Sequence, residues 1–165
     1  IQNSPDGDCD QACKMLTRFN REMLIAVLEE ISAQGITPLG RTLCLLYPRV
    51  NKQLGLKIIK TLASLNSREG VPLLLDCLTH NDSLVRATAY QALGEISDKS
   101  TAFALLKGLH DPVPMVKEKA IEAVGKLGIT AVTGHLQQIA ANHKETPAVR
   151  RMAGRVAEEM TRKQR

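Results

Sequence analysis

Aromatic residues are scarce in this sequence. Its 165 residues include no tryptophan, two tyrosines (Tyr47, Tyr90) and two phenylalanines (Phe19, Phe103). It therefore lacks the run of stacking platforms on which many single-strand nucleic-acid binders hold bases. No stretch approaches the roughly 18 uninterrupted apolar residues of a membrane span, so no membrane insertion by this segment is expected. No Gly-rich phosphate loop, nucleophile elbow or metalloprotease motif is present. The stretch DGDCD (6–10) hints at a calcium loop, but the sixth place is not glycine and the twelfth is Thr17 rather than Glu. Cysteine is limited to Cys9, Cys13, Cys44 and Cys77. Cys44 and Cys77 fall on or beside apolar stripes and read as small core residues. Cys9 and Cys13 would share one helix face, which rarely suits a disulfide, and two thiolates alone are half a zinc site. With no signal peptide in view, a cytoplasmic location is the default. No catalytic, cofactor-binding or metal-binding residues are expected, and the chain is read as not an enzyme.

What the sequence has is repetition. DSLVRATAYQALGEI (82–96) returns at 113–127 as VPMVKEKAIEAVGKL. Val85, Arg86, Ala89, Ala92, Gly94 and Ile96 correspond to Val116, Lys117, Ala120, Ala123, Gly125 and Leu127, each 31 residues further on. Stepping back by the same interval, QLGLKIIKTLASL keeps Leu54, Ile58, Leu62 and Leu65. Thirty-three residues forward, PAVRRMAGRVAEEM keeps Val149, Ala153, Val156 and Met160. Self-similarity at a fixed period in this range is the mark of stacked structural repeats. Within one copy, Val85, Ala89, Ala92, Leu93 and Ile96 form an apolar stripe at helical spacing, with Asp82 or Ser83 suited to cap the helix.

A first helix precedes each of these second helices, at 40–47, 71–78, 102–109 and, less regularly, 132–141. Pro72 fits a first turn, where its missing N–H is not needed. The connections are short and polar, as between antiparallel helix neighbours. An earlier pair would use 9–19 and 21–31, with Leu24, Val27, Leu28 and Ile31 as the stripe, Gly35 as the stop and Thr37-Pro38 opening the next helix. The expected fold is all-α, a right-handed α-solenoid of about five antiparallel helical hairpins, each needing its neighbours to bury its stripe. Residues 1–8 are read as a linker or tail and 9–165 as a single domain, with repeats near 9–35, 36–66, 67–97, 98–128 and 129–165. Because the sequence opens on Ile1, an excised piece or a processed product is expected.

An Asp in the turn, Val-Arg opening the second helix and then Ala-x-x-Ala-Leu-Gly-x-Ile resembles the HEAT repeat, most closely the short HEAT-like variety found in phycobilisome lyases. Asp82, Val85, Arg86, Ala89, Ala92, Leu93, Gly94 and Ile96 carry the resemblance, which covers roughly residues 37–161. It implies that the second helices line an inner, concave face. It also implies that the turn Asp and the helix-opening Arg support one another from repeat to repeat. Lys117 in place of the Arg and Glu145 in place of the Asp make that ladder uneven. A HEAT-like class of iron hydroxylases uses His-Glu pairs, and no such dipeptide occurs here. His80, His110 and His143 recur at comparable places, but equivalent residues of adjacent repeats stand about 10 Å apart, too far to share a metal.

Charge points to partners. The chain has 22 basic and 17 acidic residues, and Lys144, Arg150, Arg151, Arg155, Arg162, Lys163 and Arg165 crowd its end against Glu145, Glu158 and Glu159. Such an end can contact phosphates or serve as the solvated cap that a terminal repeat needs. The function expected is a non-enzymatic interaction or scaffold module that holds a protein, or another domain of its parent chain, acidic in character. Two alternatives remain: a bilin-lyase-like enzyme subunit, which the resemblance implies, and nucleic-acid binding through the basic C-terminal repeat. The residues expected on the binding face are Lys57, Lys60, Tyr90, Gln91, Glu118, Glu122, Lys126, Arg151 and Arg155. Tyr90 is the expected anchor, and Arg151 and Arg155 the steering charges. Leu28, Ile59, Tyr90 and Ile121 lie about 100° around their helices from the core alanines. They form either an apolar surface lane or packing between hairpins.

Overall fold

A computed structural model describes residues 5–36 and 39–163. Thr37-Pro38, residues 1–4 of the expected tail and Arg165 lie outside the described residues. The described residues form α-helices joined by short turns and single 3-10 turns, with no strand among them. The helices are α1 (Pro5–Leu16), α2 (Arg21–Gln34), α3 (Gly40–Leu46), α4 (Lys52–Ser64), α5 (Val71–Cys77), α6 (Ser83–Ile96), α7 (Ala102–Lys107), α8 (Pro114–Leu127), α9 (Thr133–Ala141) and α10 (Pro147–Lys163). Part of the expected tail is thus helical from Pro5, a residue suited to a first helical position.

The chain divides into two compact units, residues 1–73 and 74–165, with the boundary inside α5. In the first, α1 packs on α3 and α2 on α4, around Cys13, Leu24, Leu28, Ile31, Leu43, Leu46, Leu54, Ile58, Leu62 and Leu65. In the second, α6 packs on α8, α8 on α10 and α9 on α10. The stripes Val85–Ala89–Leu93, Val116–Ala120–Val124 and Val149–Ala153–Val156 are buried, at the spacing of one helix face.

The repeat is written most plainly in the ends of the second helices. Asn20, Asn51 and Asp82 are N-caps whose side chains accept hydrogen bonds from the amides of Met23 (2.8 Å), Leu54 (3.1 Å) and Leu84 (2.9 Å). Each relieves one of the free N–H groups of a first turn. The positive-φ residues among the described ones are Gly35 (64°), Asn66 (48°), Ser97 (52°) and Gly128 (69°). Both series step by 31 residues, so the first hairpin keeps the same register as the others. Ser97 occupies the left-handed region despite its Cβ, and its hydroxyl donates to the Gly94 carbonyl at 2.8 Å. In the last hairpin the interval lengthens to 33: Thr146 Oγ1 accepts from the Val149 amide at 3.3 Å.

Small residues set how closely the second helices approach. A Cβ added at Gly94 would lie 2.7 Å from Ala123 Cα, and one at Gly125 2.9 Å from Val156 Cγ1. Gly134 has nothing within 4 Å. Gly94→Ala should therefore destabilise the chain by about 1–3 kcal/mol through overpacking, in spite of alanine's better helix propensity. Gly134→Ala should leave the melting temperature unchanged or raise it by the equivalent of up to about 1 kcal/mol. Equal melting temperatures for the two variants would refute the close approach of α6 and α8.

Candidate functional site

The residues that order the second unit and those left facing solvent are separate sets, and the first set shows what the second is free to do. Arg86, in the first turn of α6, donates from Nε to Asp111 Oδ2 at 2.8 Å and from Nη2 to Asp111 Oδ1 at 3.0 Å. Its Nη1 reaches the carbonyls of His80 (2.9 Å) and Asn81 (3.0 Å). Asp111 Oδ1 also accepts from the Val113 amide at 2.9 Å, which fixes the entry to α8 where Val113 has no side-chain cap of its own. One repeat on, Lys117 Nζ pairs with Glu145. The uneven residue types thus still make both rungs: a lysine with a glutamate replaces an arginine with an aspartate. Both pairs are largely buried, with side chains 10–18% exposed. Burial alone would push the Asp111 carboxyl up, but the Arg86 bond, the Val113 amide and the charges of Arg86 and Lys117 outweigh it and hold it below the usual carboxylate range.

Tyr90 does not face solvent. It is 3% exposed, so its expected role as an exposed anchor is corrected. Its ring occupies the space that Gly108 leaves by having no side chain: a Cβ there would fall 2.5 Å from Tyr90 Cζ. Burial, with the nearby Asp111 charge, pushes its hydroxyl up to about 12. Leu28, Ile59 and Ile121 are buried as well, so these four residues are packing and not a surface lane. The strongly exposed aromatic is Phe103 of α7, with Lys107 Nζ 5.3 Å from its ring centroid. Its signal in the sequence was its place outside the Leu105–Leu109 stripe. His110 meets His135, with ring centroids 5.1 Å apart.

The other expected residues sort into engaged and unengaged charges. Lys57 binds Glu29 at 2.7 Å. Lys126 lies 3.3 Å from Glu122 and 4.0 Å from Glu95, Glu122 also pairs with Lys119 at 3.2 Å, and Gln91 donates to Glu95 at 3.0 Å. Glu118, Arg151 and Arg155 make no ion pair among the described residues. These three, with Ala148 and Met152, line one groove of about 410 Å³ between α8 and α10. Arg151 and Arg155 are exposed. In the first unit, Lys57 and Lys60 of α4 and Glu29, Ser32 and Ala33 of α2 line a groove of about 370 Å³. Both grooves lie between successive second helices.

Residues 46–125 match the family model for HEAT repeats. Residues 46–125 carry HEAT repeats. A comparison with curated proteins returns no match. Among solved structures, the chain is similar to one in the complex of CpcE and CpcF of phycocyanin lyase from Nostoc sp. PCC7120, with a TM-score of 0.74 and 21% identity. The likeness covers 98% of this chain and 66% of that one, and it shows the fold, an all-α solenoid. It also corrects the expectation that the chain is not an enzyme. That expectation rested on the absence of catalytic motifs, and a structure of this fold belongs to a phycocyanin lyase complex. No helix among the described residues is long and apolar enough to cross a membrane.

Two outcomes follow from these contacts. Asp111→Asn should lower stability at neutral pH by about 1.5–3 kcal/mol. Because the Asp111 pKa is depressed on folding, its contribution is complete above the unfolded-state value of about 3.9 and is lost as pH falls through the lower folded value. The variant should therefore show a shallower loss of stability in acid, read by denaturant titration across pH; parallel acid limbs would contradict the pairing. Tyr90→Ala should lower stability by about 3–5 kcal/mol, and a melting temperature within a degree or two of the parent's would place the ring at the surface after all.

Proposed function

We propose that this chain is a protein-interaction module that holds a partner against the exposed, charged face of its second helices. The partner is another protein or another domain of its own parent chain, and the setting is cytoplasmic. The observation that carries the reading is the α8–α10 groove, where Glu118, Arg151 and Arg155 meet without an ion pair among the described residues, Arg155 touching only the uncharged sulfur of Met152 at 2.9 Å, while Lys57, Gln91, Glu122 and Lys126 are held by neighbours. Charges already neutralised within a chain contribute little to a new interface, whereas unpaired ones steer encounter and choose partners. Within the first unit, Lys57 and Lys60 line a comparable groove between α2 and α4.

A second reading has its own support. The likeness to the phycocyanin lyase complex favours a chain that works as one part of a lyase and handles a bilin. Transfer of bilin absorbance to apo-phycocyanin by the recombinant chain, alone or with a partner subunit, is its test, and absence of both transfer and pigment binding removes it.

For the interaction reading, the chain is used as bait in nuclease-treated lysate of its source cell, beside the variant Arg151→Glu with Arg155→Glu. These exposed substitutions should change folding stability by no more than about 0.5 kcal/mol. A stoichiometric protein should be retained by the parent chain and lost with the variant. A protein that survives both this variant and Lys57→Glu with Lys60→Glu would remove the second-helix face from the interface, and partners that vanish with nuclease would point to nucleic acid.

A further inference from the structure

Resting on the interaction reading, we infer that the α8–α10 groove takes an acidic side chain of a partner peptide, seated between the Arg151 and Arg155 guanidinium groups. Arg151 and Arg155 stand one helical turn apart on α10, so both can reach one carboxylate. Arg151 also borders a second groove of about 360 Å³ with Ala140, Pro147 and Arg150. Arg150 is tied back by its Nε to the Ala140 carbonyl at 3.1 Å. Arg155 Nη2 lies 2.9 Å from Met152 Sδ, and Arg151 and Arg155 have no carboxylate of this chain paired to them among the described residues.

The other lining residues narrow the occupant. Ala148 and Met152 give the groove an apolar component, and methionine adapts to varied side chains. A volume of about 410 Å³ exceeds what a lone small anion fills, so an acidic residue flanked by an apolar one suits it. Glu118 lines the same groove. A polyanion following the groove would bring phosphate against that carboxylate. A peptide can offer it an amide N–H or a basic side chain. The Arg pair and Glu118 together therefore select a peptide of mixed character with an acidic residue over a phosphodiester backbone.

The test uses three probes on the full chain, read by fluorescence anisotropy: a fluorescein-labelled dodecapeptide of Glu, Leu and Gly, its Glu→Gln counterpart, and a single-stranded oligothymidine. The acidic peptide should bind saturably, at least tenfold more tightly than the Gln counterpart. Arg151→Glu with Arg155→Glu should weaken it at least tenfold with an unchanged melting temperature. Glu118→Gln should strengthen oligothymidine binding without weakening the acidic peptide. The inference is overturned if the acidic peptide does not bind by about 1 mM, if it binds parent and double variant alike, or if oligothymidine binds more tightly to the parent chain. A captured protein partner that is still lost with the double variant, while the acidic peptide fails to bind, would leave the interface reading standing and remove only the acidic occupant.

Discussion

A residue in the left-handed conformation at Gly35, Asn66, Ser97 and Gly128 stops the second helix of four successive hairpins at the same point. An L-residue with a Cβ avoids this conformation unless something local supports it, so the position favours glycine and asparagine and tolerates serine when its hydroxyl bonds back. With a cap at Asn20, Asn51 or Asp82 at the other end, α2, α4 and α6 are each held to about four turns. Equal lengths let the stripes of adjacent helices meet in register. Had one helix run on by a turn, the alanines and glycines of its neighbour would have faced larger side chains.

In the second unit the close approach of these helices puts their first turns side by side, and the buried charge pairs follow from that. Arg86 ties its own turn, the next turn and the entry to α8 into one network. Removing one partner would leave a charge with little access to water, which is why such pairs fix an arrangement more than they add to stability. Lys117 with Glu145 does the same work with two longer chains, and the two-residue lengthening before α10 lies in the turn that supplies Glu145.

Much of this was legible in the sequence. The 31-residue period, the stripes, the Asp82 cap and the Gly35 stop are local features, and local features survive into structure when neighbours agree with them. The caps at Asn20 and Asn51 and the stops at Asn66 and Ser97 were equally visible, at the same interval, but their residue types differ from copy to copy and hide the equivalence. The face of Tyr90 was not legible. Its position on the helix puts it on the flank, and the absence of a side chain at Gly108, in the 3-10 turn after α7, makes room for the ring. The second rung of the ladder was hidden for a related reason: Lys117 and Glu145 look like two departures from a pattern and are in fact one compensated pair.

The binding face was legible as a set of residues and not as a division among them. Helical spacing placed Glu122, Lys126, Arg151 and Arg155 on similar faces, but it could not say which charges would satisfy one another. That depends on distances between helices. Glu122 and Lys126 sit four apart on α8 and bind each other, and Lys119 joins them. Arg151 and Arg155 sit four apart on α10 with the same sign and cannot. Like charges at that spacing disfavour the helix slightly, and no carboxylate of the described residues relieves them, since Glu118 lines the same groove without pairing. Within the fold these charges keep the last helix solvated, and Arg155 Nη2 reaches Met152 Sδ at 2.9 Å. A counter-charge brought from outside would relieve the repulsion between them, and this holds whether the partner is a scaffold client, a neighbouring domain or the companion subunit of an enzyme.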